Sequence, residues 1–401
     1  MKAHAASVAE HLAAFRRGAV DLIDERELEE RLAAALARGR GLRLKFGMDP
    51  SSPDLHVGHA VQLLKLRDLQ DLGHTVILLV GTATAMVGDP SGRNKLRPQL
   101  SRAEVETNMR TYVEQAGIVL DMRRVELRYN SEWFDRMSFA DVLRLTGRMT
   151  VAQMMQRELF QKRVRENEAI GIHEFLYPLM QGWDSVELEA DVEFGGTDQL
   201  FNLLVGRDFQ EQVGKPRQIV VTGPLIDGLD GRKMSTSYGN AIGLTDEPAD
   251  VFGKTMSLPD EAMPAWFRLL TRLPDSEIEA LLVGHPRAAK ARLAEELCAL
   301  VAGREAAAAA CAAFDRQFVH KEVPEDVPAV VYGGAWPVPL SVLLRELGLV
   351  ASGAEARRLI EQGGVKLDGA LEQDPNARIE RPARPVLVQV GKRRFARLSA
   401  D

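Results

Sequence analysis

Only two cysteines, Cys298 and Cys311, occur in the 401 residues, both in an alanine-rich stretch. Two thiols cannot build a disulfide scaffold, and their setting predicts reduced side chains in a cytosolic protein. No apolar run approaches the roughly 20 residues that cross a bilayer as a helix. The N-terminal segment becomes strongly charged by Asp24-Glu-Arg-Glu-Leu-Glu-Glu30 and predicts no secretion signal. The G-x-G-x-x-G pattern is missing from the first strand-to-helix turn, which argues against a dinucleotide site. No Cys and His cluster completes a tetrahedral metal site. Excess positive charge is absent too: the net charge of −6 excludes wholesale wrapping of nucleic acid but permits a local basic patch. With 45% hydrophobic residues, the chain can bury a substantial core and predicts two or three domains.

What is present centres on two short stretches, His56-Val57-Gly58-His59 and Lys233-Met-Ser235-Thr236-Ser237. Arg43 to Pro50 reads as a short buried strand closed by an acidic turn, and Val57, Val61, Leu64, Leu69 and Leu72 recur at helical spacing up to Gly73. Thr75 to Val80 is apolar throughout, as expected for a strand covered on both faces. His56 and His59 therefore sit on one face at a helix N-terminus, where backbone N–H groups and the dipole favour anions. Imidazoles there can donate to phosphate oxygens, and Gly58 lets a flat base or ribose approach the backbone. His74 and His285 read as satisfied structural histidines. Met149, Met154 and Met155 read as core or interface filler.

The organisation predicted is an α/β protein. A Rossmann-like parallel-sheet domain spans 1–224, with a helical arm over about 1–40 and a helical insertion over about 120–175. The alternation from Val186 to Phe194 predicts a strand, and Ser101-x-x-Glu104 a capped helix start. A mobile loop covers 225–245, an α-helical domain 246–322, a Pro/Gly linker 323–339 and a small α+β unit 340–401. That last unit carries eleven Lys and Arg against eight Asp and Glu, a net +3 that leaves −9 on the rest. The asymmetry points to an RNA-facing module, against the plainer alternative of a solvated basic face.

His56-Val-Gly-His59 and Lys233-Met-Ser-Thr-Ser237 resemble the HIGH and KMSKS signatures of class I aminoacyl-tRNA synthetases. Tyr177-Pro-Leu-Met-Gln181-Gly-Trp-Asp184 and Gly195-Gly196-Thr-Asp198-Gln199 look like the tyrosyl-tRNA synthetase pattern, and the resemblance covers nearly the whole chain. Tyr177, Gln181 and Asp184, spaced i, i+4, i+7, share one helix face. A carboxylate at Asp184 among apolar neighbours must find a donor or shift its pKa upward. The resemblance implies that Asp184 takes a substrate phenol, with Tyr177, Gln181 and Asp89 on the α-ammonium and Gly47 and Gln199 beside the amino acid. A pocket that pairs with a hydroxyl rejects phenylalanine, and tyrosyl-tRNA synthetases are themselves the worked example of that rule, at about 10⁵. The resemblance likewise places Asp49, Gly58, Gly196, Asp198, Lys233 and Ser235 on ATP, with Asp198 accepting ribose hydroxyls and Ser51 near the triphosphate.

The chemistry implied is attack of the tyrosine carboxylate on the α-phosphate of Mg-ATP, then transfer of tyrosine to the terminal ribose of tRNA(Tyr). Neither step needs an enzyme nucleophile, so positioning and cations carry the rate, with His56, His59 and Lys233 expected in that role. Mg²⁺ is expected on the nucleotide and not in a dedicated protein site. Arg357, Arg358 and Lys366 in the best-matching part of the tail, with Lys392, Arg393 and Arg394, are the expected RNA contacts. The family also implies a homodimer, for which the Met-rich segment from about 140 to 160 is the expected interface, and a cytoplasmic location. Two positions depart from the family pattern. Thr236 replaces the usual second loop lysine, which leaves compensation by Arg232, by a bound monovalent cation, or simply weaker stabilisation as the alternatives, and Lys45 replaces a phenol-binding tyrosine. Rival readings are a tryptophanyl-tRNA synthetase, a small-metabolite nucleotidyltransferase, and a non-catalytic RNA-binding protein derived from a synthetase.

Overall fold

The computed structural model describes residues 6–91, 100–318, 327–391 and 394–400, the side chains of Ser237 and Ala400 excepted. Contacts divide the chain into one unit running through Ala310 and a second from Cys311 onward. The helices expected as a separate domain at 246–322 are thus shared: those up to Ala310 belong with the first unit.

The first unit is built on β1 (Asp21–Ile23), β2 (Arg43–Met48), β3 (Thr75–Val80), β4 (Val125–Tyr129), β5 (Val192–Gly196) and β6 (Ile219–Gly223), ordered β1-β6-β5-β2-β3-β4. β1 runs antiparallel to β6 and every other pairing is parallel. The helices that position the site are α1 (Val8–Arg16), α2 (Glu25–Ala37), α3 (Val57–Asp71), α4 (Arg102–Ala116), α5 (Leu176–Glu187) and α6 (Leu200–Gln212). The chain returns from β2 through α3 to β3, and from the adjacent β5 through α6 to β6. The two crossovers leave neighbouring strands in opposite directions, which opens a crevice beyond the strands' carboxyl ends.

Four elements differ from the sequence reading. The N-terminal arm is interrupted by β1, three residues long and too short to carry a period. β4 lies inside the expected helical insertion; its residues, all half-buried, read Val125-Glu-Leu-Arg-Tyr129, an apolar-polar alternation that marks a strand and that the helical reading of this segment passed over. Val186, Leu188, Ala190, Val192 and Phe194 are all buried. The chain there is the end of α5, a break at Glu189 with φ +48, and only then β5, so one buried row spans two conformations. The expected linker 323–339 contains β7 (Ala329–Tyr332) and β8 (Val338–Pro339) in its described part. The Ser101 and Glu104 capping box is formed as read.

His74 accepts from Leu42 N through Nδ1 and faces His11 Nδ1 across 2.9 Å. His285 caps a helix by accepting from Arg287 N. Met154 is buried in a cluster with Leu145, Phe160 and Leu179, against which Met149 and Met155 pack.

The second unit places helices Leu340–Glu346 and Gly353–Glu361 with β9 (Val365–Leu367), β10 (Ala370–Glu372), β11 (Arg378–Ile379), β12 (Val386–Val390) and β13 (Arg394–Ala400). Its main sheet runs β10-β9-β12-β13-β7, and its own core holds Leu340, Leu343, Leu344, Ile360, Val388 and Leu398. Among the described residues, no helix is long and apolar enough to cross a membrane.

Candidate active site

Two joined cavities lie at the switch point. The larger, about 660 Å³, is lined by Asp49, Ser51, His56, Gly58, His59, Gly196, Asp198, Lys233, Ser235 and Thr236 among others. The smaller, about 230 Å³, is lined by Lys45, Gly47, Thr84, Tyr177, Gln181 and Asp184. Asp49, Ser51, His59, Asp89, Gly196 and Gln199 border both. Every residue expected on ATP or the amino acid therefore borders one connected space.

His56 is the N-cap of α3, and its Nδ1 accepts from Gly58 N at 3.1 Å. His59 Nδ1 accepts in turn from His56 N at 3.2 Å, and the two rings lie 4.0 Å apart. Each Nδ1 is an acceptor, so the proton of each neutral ring sits on Nε2 and is available for donation. Burial and the nearby Lys233 charge lower the His56 pKa to about 4; burial and its neighbour His56 lower that of His59 to about 3. Burial thus favours the uncharged ring in both histidines, and each offers its Nε2–H as a hydrogen-bond donor. Gly58 also has a reason beyond ligand approach, since a Cβ there would lie 2.8 Å from His56 Nδ1.

Lys233 is the charged member of the pair of motifs, and its Nζ lies 2.9 Å from Asp198 Oδ2. A backbone bridge joins Asp227 to Lys233, and Asn240 Oδ1 accepts from Ser235 N at 2.9 Å. Thr236 begins a short 3-10 turn through Tyr238. Arg232 is paired with Asp230 and stacks over the Tyr238 ring at 4.7 Å. Its guanidinium is engaged within the loop, which weakens it as a substitute for the absent lysine.

In the smaller cavity, the Tyr177 hydroxyl donates to Asp49 Oδ2 at 2.9 Å, and Thr84 Oγ1 donates to Asp49 Oδ1 at 2.7 Å. Gly81 is required by that arrangement, because a Cβ would meet Asp49 Oδ1 at 1.9 Å. Asp89 accepts from Gln199 Nε2 at 2.9 Å and from Ser91 N at 2.8 Å. Asp184 is buried; Trp133 Nε1 donates to its Oδ1 at 2.9 Å and Asn130 Nδ2 to its Oδ2 at 3.4 Å. Burial nevertheless lifts its pKa to about 7, against the opposing pull of Lys45 and these two donors. Trp133, Asn130, Thr84 and Gly81 were not read as site residues. Trp133 and Asn130 stand more than 50 positions before Asp184, in the turn and short helix that follow β4, and nothing in their own neighbourhood ties them to that carboxylate.

Lys45 is wholly buried and paired with Glu193 at 2.8 Å. In the second unit, Arg357, Arg358 and Lys366 are exposed, whereas Arg394 is held by Glu355 and the Leu349 carbonyl. Lys392 and Arg393 lie outside the described residues.

The comparisons with known proteins bear on the same residues. The model of class I tRNA synthetases (W and Y) matches residues 37–319, and the S4 domain model matches residues 338–382. A tyrosine–tRNA ligase of Bordetella bronchiseptica is 49% identical over 393 residues, covering 96% of this chain and 95% of that protein. One of Burkholderia mallei is 49% identical over 394 residues, covering 97% and 94%. A C-terminally truncated mitochondrial tyrosyl-tRNA synthetase of Aspergillus nidulans superposes with TM-score 0.64 at 26% identity, over 78% of this chain and 94% of that one. The Archaeoglobus fulgidus tyrosyl-tRNA synthetase, solved with L-tyrosine, shares the fold at TM-score 0.61 and 23% identity, over 76% and 100%. With both motifs and the buried carboxylate gathered at one switch point, and with relatives of this similarity along nearly the full length, the chain belongs to the class I tRNA synthetases and, among them, to the tyrosyl-tRNA synthetases.

Proposed function

We propose that the protein activates L-tyrosine with ATP and transfers it to the terminal ribose of tRNA(Tyr). The observation that carries this reading is Asp184, a buried carboxylate lining a cavity of about 230 Å³, held by Trp133 and Asn130 and able to accept a hydrogen bond from a phenol. In the same cavity, the Tyr177 hydroxyl donates its hydrogen bond to Asp49, which leaves its oxygen lone pairs for an ammonium. Asp89 and Gln181 supply further acceptors for that group, and Gln199 orients Asp89.

In the larger cavity the nucleotide brings its own Mg²⁺, which favours phosphate oxygens and water. His56 and His59 donate Nε2–H to phosphate oxygens, and burial keeps both rings in the uncharged donor form before the nucleotide arrives. Lys233 leaves Asp198 for the phosphates as Asp198 takes the ribose hydroxyls, so the nucleotide exchanges one ion pair for another. His56 and His59 are already in place and Lys233 has only to change partners, and positioning of that kind lowers the barrier without a protein nucleophile.

The second unit supports an RNA role through exposed Arg357, Arg358 and Lys366. A homodimer is supported by exposed Phe139 (77%), Leu143 (56%) and Ile172 (86%) on the helical insertion, apolar groups that a partner would cover. Pyrophosphate exchange into ATP with tyrosine, phenylalanine and tryptophan supplied singly tests the function. Tyrosine alone should drive exchange; exchange driven by tryptophan, or by none, overturns the reading.

A further inference from the structure

Lys45 stands on β2 directly opposite Glu193 on β5, so both side chains leave the sheet on one face, beneath α5. Their ion pair of 2.8 Å is closed to solvent, with side-chain exposures of 0% and 1%. Lys45 Nζ also donates to the Gln181 carbonyl at 2.9 Å and to Ser185 Oγ at 2.8 Å. An ammonium has three protons, and these three acceptors occupy them. Lys45 therefore holds the helix and leaves no proton for a substrate phenol.

The network continues from Glu193, which accepts from Ser185 Oγ at 2.9 Å, Gln218 Nε2 at 2.5 Å and Gln181 Nε2 at 3.3 Å. Gln181 Oε1 accepts from Asn202 Nδ2 at 3.0 Å, and the same Asn202 amide donates to Gln199 Oε1 at 3.0 Å. Gln199 then donates to Asp89. An unbroken polar chain thus runs from the ion pair under the phenol end of the pocket to the carboxylate at its ammonium end. Such networks act as units, and a buried pair left with one partner is strongly unfavourable.

We propose that Lys45 and Glu193 are positioning residues for the amino acid: their buried pair sets the turn of α5 that carries Gln181 and Asp184 and, through Asn202 and Gln199, the orientation of Asp89. The proposal rests on the tyrosine-activating reading of the same pocket, and it places Lys45 outside direct contact with the phenol.

The test uses the full-length protein in tyrosine-dependent pyrophosphate exchange, with KM for tyrosine and for ATP and the melting temperature measured for each variant. Exchange by the unaltered protein establishes the activity; if that fails, it is the functional reading that falls. Given activity, Lys45→Met and Glu193→Gln should each raise KM for tyrosine by about ten-fold or more, with KM for ATP within about two-fold, as for loss of one member of a coupled network. Lys45→Met combined with Glu193→Gln should cost less than the two single effects together, because no unpaired charge is left buried. Asn202→Ala, away from the ion pair, should raise KM for tyrosine in the same direction, and it serves if the single charge variants fail to fold. Equal rises in both KM values with a fall in melting temperature would reduce Lys45 to a purely structural role and overturn the proposal. So would an unchanged KM for tyrosine in Asn202→Ala.

Discussion

Replacing Asp184 by asparagine should weaken tyrosine recognition and change the pH dependence of stability in a direction the structure specifies. The side chain is buried with a pKa raised from 3.8 to about 7, first by desolvation. The folded protein therefore keeps this proton up to about pH 7, whereas the unfolded chain releases it near 3.8. Between those values the folded state binds more protons, so the wild-type fold loses stability as pH rises through the window and loses no more above it. The shift is about 3 units, or about 4 kcal/mol as an upper figure at about 1.4 kcal/mol per unit. Asparagine does not titrate. Stability of Asp184→Asn relative to wild type, from urea unfolding at pH 4 to 8, should accordingly climb with pH by up to about 4 kcal/mol. The offset of the whole curve depends on Asn130 Nδ2, which would face an amide donor at 3.4 Å, but the climb does not. In the same variant, loss of a charged acceptor worth about 1.5–3 kcal/mol should lower kcat/KM for tyrosine by roughly 10- to 150-fold. Wild-type kcat/KM should rise toward a plateau above about pH 7 as the carboxylate forms. Parallel stability curves for the two proteins, or near-normal tyrosine activation by the variant, would refute the reasoning.

Other perturbations follow from the same geometry. Thr236→Lys adds a cation to the loop whose Arg232 is already paired with Asp230, and should speed single-turnover adenylate formation by about ten-fold; no gain rejects a missing-charge account. His74 is buried beside His11 with its pKa lowered from 6.5 to about 4, chiefly by burial, so its stabilising effect is present above 6.5 and fades as pH falls toward 4. His74→Gln should therefore flatten the acid side of the unfolding-midpoint curve, and an unchanged slope there would count against the lowered value. Truncation after Phe318 keeps the helix that ends there and removes the rest of the second unit, β7 and β8 included, which pair within it. That protein should retain pyrophosphate exchange and lose most tRNA charging, and full charging would count against an RNA role for the unit.

Local chemistry declared itself in the sequence where one short segment contained the whole reason for its form. The helix start at His56, the apolar run of β3 and the face shared by Tyr177, Gln181 and Asp184 all follow from spacing over fewer than ten residues. The same reading failed where burial and conformation part company. Val186 to Phe194 alternates as a strand does, yet a helix end and a left-handed Glu189 supply the first part of that buried row. β1 escaped because pairing with β6, and not its own three residues, makes it a strand, whereas the alternation of Val125-Glu-Leu-Arg-Tyr129 in β4 was legible and was passed over among helical neighbours.

By itself, then, the sequence determined the chemistry class, through two nucleotide motifs and a carboxylate on a helix, and the existence of a parallel sheet to carry them. The tertiary structure alone decided the protonation and partners of those groups. His56 and His59 become neutral donors because folding buries them against each other and near Lys233. Asp184 meets Trp133 and Asn130, and Lys45 turns from a puzzling substitution into one half of a buried pair with Glu193, only when distant strands lie side by side. Desolvation and electrostatic coupling depend on which groups share a space, and that information is not held by any local stretch of chain.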